Sequence, residues 1–138
     1  MLKIRPAQKE DTHGLVKVLR ELDLFYPSLT LDHFWVARKN GTIVGTIRLE
    51  EYDSFYFLSC LGVIEKERKH GIAATLLEQS LKNIRKKVYL YTTIPDFFRE
   101  FDFEEVPSPP FLPSKEKLGC EECSPEKCAC MLKLAHAS

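Results

Sequence analysis

The chain lacks any apolar run near the ~18 residues that a membrane-crossing helix requires, so an ordinary transmembrane segment is excluded. It also lacks an excess of charge: 20 basic residues face 20 acidic ones. A net charge of zero gives no reason to expect nucleic acid or an anionic membrane as partner. The opening Met1-Leu2-Lys3-Ile4-Arg5-Pro6 is too short and too charged for a signal peptide. No internal repeat and no low-complexity tract appears. At 138 residues the chain fits one domain, residues 1–138, and is too short for two ordinary ones. These absences together predict a soluble, cytoplasmic protein.

What is present is an alternation of short strands and helical stretches, the pattern of a mixed α/β (α+β) domain. Leu2 to Arg5 reads as an edge strand. Pro6 and Lys9-Glu10-Asp11-Thr12 open a helix in which Leu15, Val18, Leu19 and Leu22 share one face. His33 to Arg38 and Thr42 to Glu50, joined by Asn40-Gly41, form a hairpin signature, because Asn-Gly supplies the positive φ angles of a tight turn. Phe55 to Val63 is nearly all apolar and predicts a central strand. A helix follows from Ile72 to near Lys86, with Arg85-Lys86-Lys87 at its end, then a strand over Val88 to Thr92. Pro95 begins a short helix to Glu100, where its missing donor costs nothing. Phe103 to Val106 extends again, four prolines stiffen 107–113, and Met131 to Leu134 closes the chain as a short strand.

The segment from Val63 through Arg68-Lys69-His70-Gly71-Ile72-Ala73 carries the clearest chemical signal. An apolar strand leads into a polar turn, and a helix starts at once. A helix start offers unpaired N–H groups and the positive end of the helix dipole. Gly71 permits close backbone approach, and Arg68, Lys69 and His70 add donors. That combination suits a diphosphate.

The pattern RxxGxA after a strand resembles the pyrophosphate loop of the GNAT acetyltransferase superfamily, and the resemblance extends over most of the chain, from Leu2 to Leu134. It is strongest to small N-acetylglutamate-synthase-like amino-acid N-acetyltransferases. The matching segments are Phe34-Trp35-Val36-Ala37, Ile43-Val44-Gly45, Leu61-Gly62-Val63, Leu90-Tyr91-Thr92-Thr93, Phe97-Phe98 and Leu112-Pro113, with a cysteine-bearing tail before Met131. The resemblance implies a GNAT fold: a mixed, mostly antiparallel twisted sheet flanked by helices, with strands splayed at an acetyl-CoA site. It implies backbone contacts from Leu61 and Val63 to the pantetheine arm. Phosphate contacts then fall to Arg68, Lys69, His70, Gly71, Ile72 and Ala73.

Three of the family's usual residues are missing. The strand before the splay point often carries a glutamate that acts on the amine through water, and here it reads Phe55-Tyr56-Phe57-Leu58-Ser59. The tyrosine that often protonates the leaving thiolate is replaced by Phe98, and a usual glycine by Asp102. Glu50, Glu51 and Asp53 are substitutes on a hairpin, where a polar turn equally accounts for them. Tyr56, Ser59, Tyr91 and Thr92 are candidates for a proton relay, with packing as the alternative for the tyrosines. Arg48 is either a fork for a substrate carboxylate or an outward-facing strand residue. Trp35 and the Phe25-Tyr26 pair line the acceptor pocket or belong to the core.

The tail holds Cys120, Cys123, Cys128 and Cys130, written CxxCxxxxCxC. Four thiols this close can form a tetrahedral zinc site. Reduced structural cysteines, a redox-sensitive pair and disulfides are the alternatives, the last disfavoured in a cytosolic chain. Any zinc here would be a structural clasp. Cys60, on an apolar strand, reads as simply buried.

The sequence therefore points to an acetyl-CoA-dependent N-acetyltransferase acting on a small-molecule amine, an amino acid such as glutamate being one such acceptor, by direct attack in a ternary complex. Two alternatives stay open: a GNAT-fold module that binds acetyl-CoA with little turnover, and an acetyltransferase of protein N-termini or lysines. A homodimer is compatible with each.

Overall fold

The computed structural model describes residues 2–26, 28–112 and 128–134. These fall into two compact units, one of residues 1–50 and 58–83, the other of residues 51–57 and 84–138. Among the described residues seven strands, β1 (Leu2–Pro6), β2 (Phe34–Lys39), β3 (Thr42–Glu51), β4 (Phe55–Val63), β5 (Lys87–Thr92), β6 (Glu104–Glu105) and β7 (Ala129–Lys133), are hydrogen-bonded in the order β1-β2-β3-β4-β5-β7-β6. The sheet is mixed: β4 and β5 run parallel, and the β1/β2, β2/β3, β5/β7 and β6/β7 pairs are antiparallel. No helix among the described residues is long and apolar enough to cross a membrane.

The first unit begins with β1 (Leu2–Pro6), an edge strand paired with β2 (Phe34–Lys39). Between them runs α1 (Thr12–Glu21). Its Leu15, Val18 and Leu19 are buried, as their three- and four-residue spacing requires. Burying one such side chain is worth roughly 1.5–3 kcal/mol, so this single stripe fixes the helix against its neighbours. The hairpin to β3 (Thr42–Glu51) turns on Asn40 and Gly41, whose φ angles are 52° and 81°. That is the left-handed pair a type I′ turn demands. The core of the unit is made by Val36, Ala37, Ile47, Leu19, Leu76 and Leu77, all fully enclosed. Leu76 and Leu77 belong to α2 (Ile72–Leu81), which packs across β1 and β2.

Helix α2 stops five residues before the expected end. The chain turns after Leu81, Ile84 is buried, and β5 (Lys87–Thr92) already begins at Lys87. The basic cluster is thus no helix terminus. Lys86 Nζ instead donates to Glu51 Oε2 at 2.7 Å and to the Tyr52 carbonyl at 2.9 Å. A tertiary ion pair has overridden a favourable local charge pattern.

Strand β4 (Phe55–Val63) contributes its first three residues to the second unit and the rest to the first. Its register with β5 covers Phe55 to Phe57 against Lys87 to Tyr89 and ends there. The second unit adds α3 (Pro95–Arg99), β6 (Glu104–Glu105) and β7 (Ala129–Lys133). Its core gathers Phe55, Phe57, Tyr89, Leu112 and Cys130. Phe55 stacks on Tyr52 with ring centroids 4.6 Å apart and meets Tyr89 edge-on at 5.6 Å, both favoured aromatic geometries.

Candidate functional site

The segment following β4 is built by three local decisions. A single turn of 3-10 helix, Glu65–Glu67, carries the chain away from the strand. Lys69 and Gly71 then both take left-handed φ angles, 70° and 74°. Finally α2 starts with Gly71 as its N-cap, and no side chain caps it. The first helical bond is Thr75 N–H to the Gly71 carbonyl at 3.0 Å. The amides of Ile72, Ala73 and Ala74 consequently have no partner among the described residues. Three unpaired donors converge at the positive end of a helix.

The N-cap glycine itself is unobstructed. A Cβ placed on Gly71 would find no atom within 4 Å. Arg68 Nε donates to the Val63 carbonyl at 3.0 Å, which braces the loop to the strand end and leaves the outer guanidinium nitrogens unengaged among the described residues. Lys69 and His70 are exposed, while Ile72 is buried and so offers its backbone rather than its side chain. Behind the loop, Glu67 receives Lys39 Nζ at 2.8 Å and lies 3.6 Å from His70 Nδ1. The Lys39 hydrogen bond holds the Glu67 carboxyl below its ordinary range. A cleft of about 540 Å³, lined by Glu21, Leu22, Ile64, Glu65, Lys66 and Arg68, borders the loop. Donors, dipole, an unobstructed glycine and a flanking arginine fit a diphosphate.

Upstream, Cys60 breaks the regularity of β4 with a φ of 52°. Its carbonyl accepts the buried Thr46 hydroxyl at 2.8 Å. Gly62 follows under close cover, since a Cβ there would lie 2.9 Å from Leu22 Cδ1. Leu61 and Val63 flank this point, half-buried and buried respectively.

Of the substrate and proton-transfer candidates, Arg48 and Glu50 meet directly. Arg48 is buried, with Nη1 3.3 Å from Glu50 Oε1 and Nη2 bonded to Thr30 Oγ1 at 2.8 Å and Asp32 Oδ1 at 3.0 Å. Burial works against its charge, and the Glu50 and Asp32 carboxylates outweigh that, so Arg48 holds its proton more firmly than usual. Asp32 in turn is held below the usual carboxylate range, first by the Thr30 hydroxyl and then by Arg48 and His33. Of the two sequence alternatives for Arg48, a substrate fork or an outward-facing residue, the outward one is ruled out by its burial, and the side chain straps residues 30–32. Ser59 Oγ is buried without a hydrogen-bond partner. Burial pushes the neighbouring Cys60 thiol up to about 11.

In the second unit, Tyr91 Oη lies 3.0 Å from Ser108 Oγ, and its ring meets Phe57 at 5.6 Å. Phe98 is buried and packs edge-on against Phe97 and Phe103. Asp102 takes a φ of 69°, the left-handed conformation that the family's usual glycine adopts freely. Cys130 is buried on β7 opposite Tyr91, and Cys128 just precedes that strand. Cys120 and Cys123 lie outside the described residues. Among the described residues no group of three or more metal-ligating side chains gathers.

One feature had no counterpart in the sequence reading. Asp11 is buried and receives Arg5 Nη1 at 2.6 Å, Arg5 Nη2 at 3.1 Å and the Gln8 amide at 2.7 Å. Arg38 Nη1 stands 3.7 Å from the same carboxylate. The available signal was cations on inward positions of two strands, which becomes legible only with their register.

Residues 30–105 match the family model of the acetyltransferase (GNAT) domain. Among solved structures, the chain resembles N-acetylglutamate synthase from Neisseria gonorrhoeae, solved with coenzyme A and N-acetyl-glutamate. The TM-score is 0.72 at 17% identity, covering 99% of this chain and 36% of that one. It thus spans about a third of that enzyme's length. A Mycobacterium tuberculosis protein solved with coenzyme A gives a TM-score of 0.71 at 18% identity, covering 97% and 99% of the two chains. The PaiA N-acetyltransferase from Thermoplasma acidophilum, also with coenzyme A, gives 0.70 at 17% identity over 97% and 99%. These likenesses bear on the fold, and the domain match covers more than half of the sequence: the chain belongs to the GNAT acetyltransferase family.

Proposed function

We propose that this chain is an acetyl-CoA-dependent N-acetyltransferase acting on the amine of a small molecule, with amino acids such as glutamate among the acceptors to test first. The observation that carries the reading is the uncapped start of α2, where the amides of Ile72, Ala73 and Ala74 are unpaired among the described residues and follow the unobstructed Gly71 and Arg68. Three similar structures hold coenzyme A, one of them with N-acetyl-glutamate, which supports this choice of ligand and acceptor. In this reading the diphosphate rests on those amides and on the outer nitrogens of Arg68, with Lys69 and His70 adding donors. The backbone at Leu61 and Val63 takes the pantetheine arm.

Bound there, acetyl-CoA supplies an acetyl group activated as a thioester. The chain's own task is to orient the amine and to take its proton. Nitrogen attacks the acetyl carbon, the C–N bond forms, the C–S bond breaks, and the thiol departs as free coenzyme A. Glu50, Ser59 and Tyr91 are the side chains we offer for the proton path. Arg48 orders residues 30–32, and its grip on Glu50 fixes that carboxylate's position.

A second reading, a coenzyme-binding module with little turnover, is favoured by Phe57 and Phe98. Both are enclosed, and neither has an ionisable group. Incubating the protein with acetyl-CoA and panels of amino acids, polyamines and peptides, while following free thiol, separates the two. Thiol release with one acceptor class supports the enzyme; tight acetyl-CoA binding without release across every panel leaves the module. A structural zinc clasp through Cys120, Cys123, Cys128 and Cys130 is a separate proposal. Metal analysis after chelator-free purification checks it, and stoichiometric absence of metal rules it out.

A further inference from the structure

At the hairpin end of the first unit, Lys3, Arg5, Arg38, Asn40 and Gly41 line a pocket of about 380 Å³. The strand register makes its charge unusual. Lys3 on β1 stands directly opposite Arg38 on β2, and Arg5, two residues along, shares the Lys3 face. Like charges directly opposite one another destabilise a strand pair. Two of the three cations share a carboxylate, Asp11, which is committed to Arg5 and lies 3.7 Å from Arg38. Glu10 acts on Arg5 at longer range, so three positive charges against these two carboxylates leave an excess of one.

The donors are also incompletely used. Arg38 Nη2 donates to the Gly41 carbonyl at 2.8 Å, but its Nε is buried without an acceptor. A buried unsatisfied donor on a charged group is costly and calls for an explanation such as a bound ion. Lys3 has no partner among the described residues. At the mouth, Gly41 sits on the turn with no atom within 4 Å of where a Cβ would be. Cations on an edge strand guard against edge-to-edge pairing, which accounts for Lys3 and Arg5. It does not account for Arg38, which lies on the inner strand β2 and lines the pocket with its Nε buried and unsatisfied.

We propose that this pocket is an oxyanion site, fitted to a phosphate-type anion and distinct from the α2 loop. It shares no lining residue with that loop. The ligand is either a free phosphate-class anion or the 3′-phosphate of coenzyme A itself, and the test separates these sources; we assign the site to the free anion. The assignment does not depend on the catalytic reading.

Pyrophosphate is titrated by calorimetry, at ionic strength held constant with chloride, into the wild type, Arg68→Ala and the Arg68→Ala/Lys3→Glu double variant. Saturable binding is expected to persist in Arg68→Ala and to weaken about tenfold or more when Lys3→Glu is added, the effect of removing one charged contact. Arg38→Gln should weaken it similarly. Since Arg38→Gln also loses the turn bond to Gly41, Lys3→Glu keeps the test decisive if that variant fails to fold. Absence of binding in Arg68→Ala, or equal binding in the double variant, overturns the site. So does a Lys3→Glu defect seen with coenzyme A and absent with its 3′-dephospho form, because the pocket would then belong to the coenzyme.

Discussion

Arg68 Nε donates to the carbonyl of Val63 at 3.0 Å, so the residue that flanks the uncapped helix start also ties the loop to the end of β4. One guanidinium edge is structural and the other faces outward. A lysine cannot divide its charge between two directions in this way.

Arg68→Ala should therefore weaken coenzyme A binding about tenfold or more, the usual cost of losing a charged hydrogen bond. Arg68→Lys should fall nearly as far although it keeps the charge. Calorimetric titration of coenzyme A checks both. Unchanged affinity in the alanine variant would refute the phosphate-loop assignment, and full retention in the lysine variant would remove the brace from the account.

Lys69→Gly tests the strain in the same loop. Lys69 has a φ of 70° and is exposed. An ordinary side chain pays about 1–2 kcal/mol for that conformation, and the extra freedom of glycine in the unfolded chain returns part of the gain. The variant should be more stable by about 0.5–1 kcal/mol in denaturant unfolding, and should bind coenzyme A less tightly than the wild type by a smaller factor than Arg68→Ala. A loss of stability would show that the lysine side chain holds the loop.

The contrast between Asn40-Gly41 and Asp11 marks what a sequence discloses. Asn40-Gly41 is a local code, and the turn took the left-handed angles it dictates. Pro95 opened its helix, and Phe55–Val63 formed its strand, for equally local reasons. The loop at Gly71 was legible because strand, glycine and helix follow one another directly. Asp11 was not, since its partners Arg5 and Arg38 reach it only once β1 is registered on β2. The burial of Arg48 hid in the same way: an arginine in an apolar strand reads alike whether or not Asp32 and Glu50 arrive to neutralise it. Local rules set elements, and pairings between distant residues set the polar interior.

Asp11 contributes to the acid limit of the first unit, together with the likewise depressed Asp32 and Glu67. Its carboxyl lies below the usual carboxylate range, chiefly through the Arg5 hydrogen bond, with burial opposing and the Gln8 amide assisting. A carboxyl depressed in the folded state binds its proton more readily when unfolded. Its contribution is thus complete above the ordinary carboxylate pKa of ~4 and is lost as pH falls through the lower folded value. Asp11→Asn should cost about 2 kcal/mol at neutral pH and flatten the decline of stability below about pH 4. Urea midpoints across pH 2.5 to 7, roughly the range where carboxylates titrate, check both effects. A variant that loses stability in acid as steeply as the wild type would exclude Asp11 as a contributing group.

Phe98→Tyr asks whether the missing acid can be restored by sequence alone. At this position the ring is 5% exposed, with Phe103 edge-on at 5.6 Å and Phe97 at 5.0 Å. A hydroxyl added there enters a cluster of aromatic rings, and burying it unpaired costs about 1–3 kcal/mol. The same burial keeps it from donating a proton to anything in solution. The variant should therefore lose about 1–3 kcal/mol of stability while its rate of thiol release changes less than twofold. A large increase in turnover would instead mean that the position faces the reacting sulfur, and that phenylalanine alone holds the activity of the natural chain down.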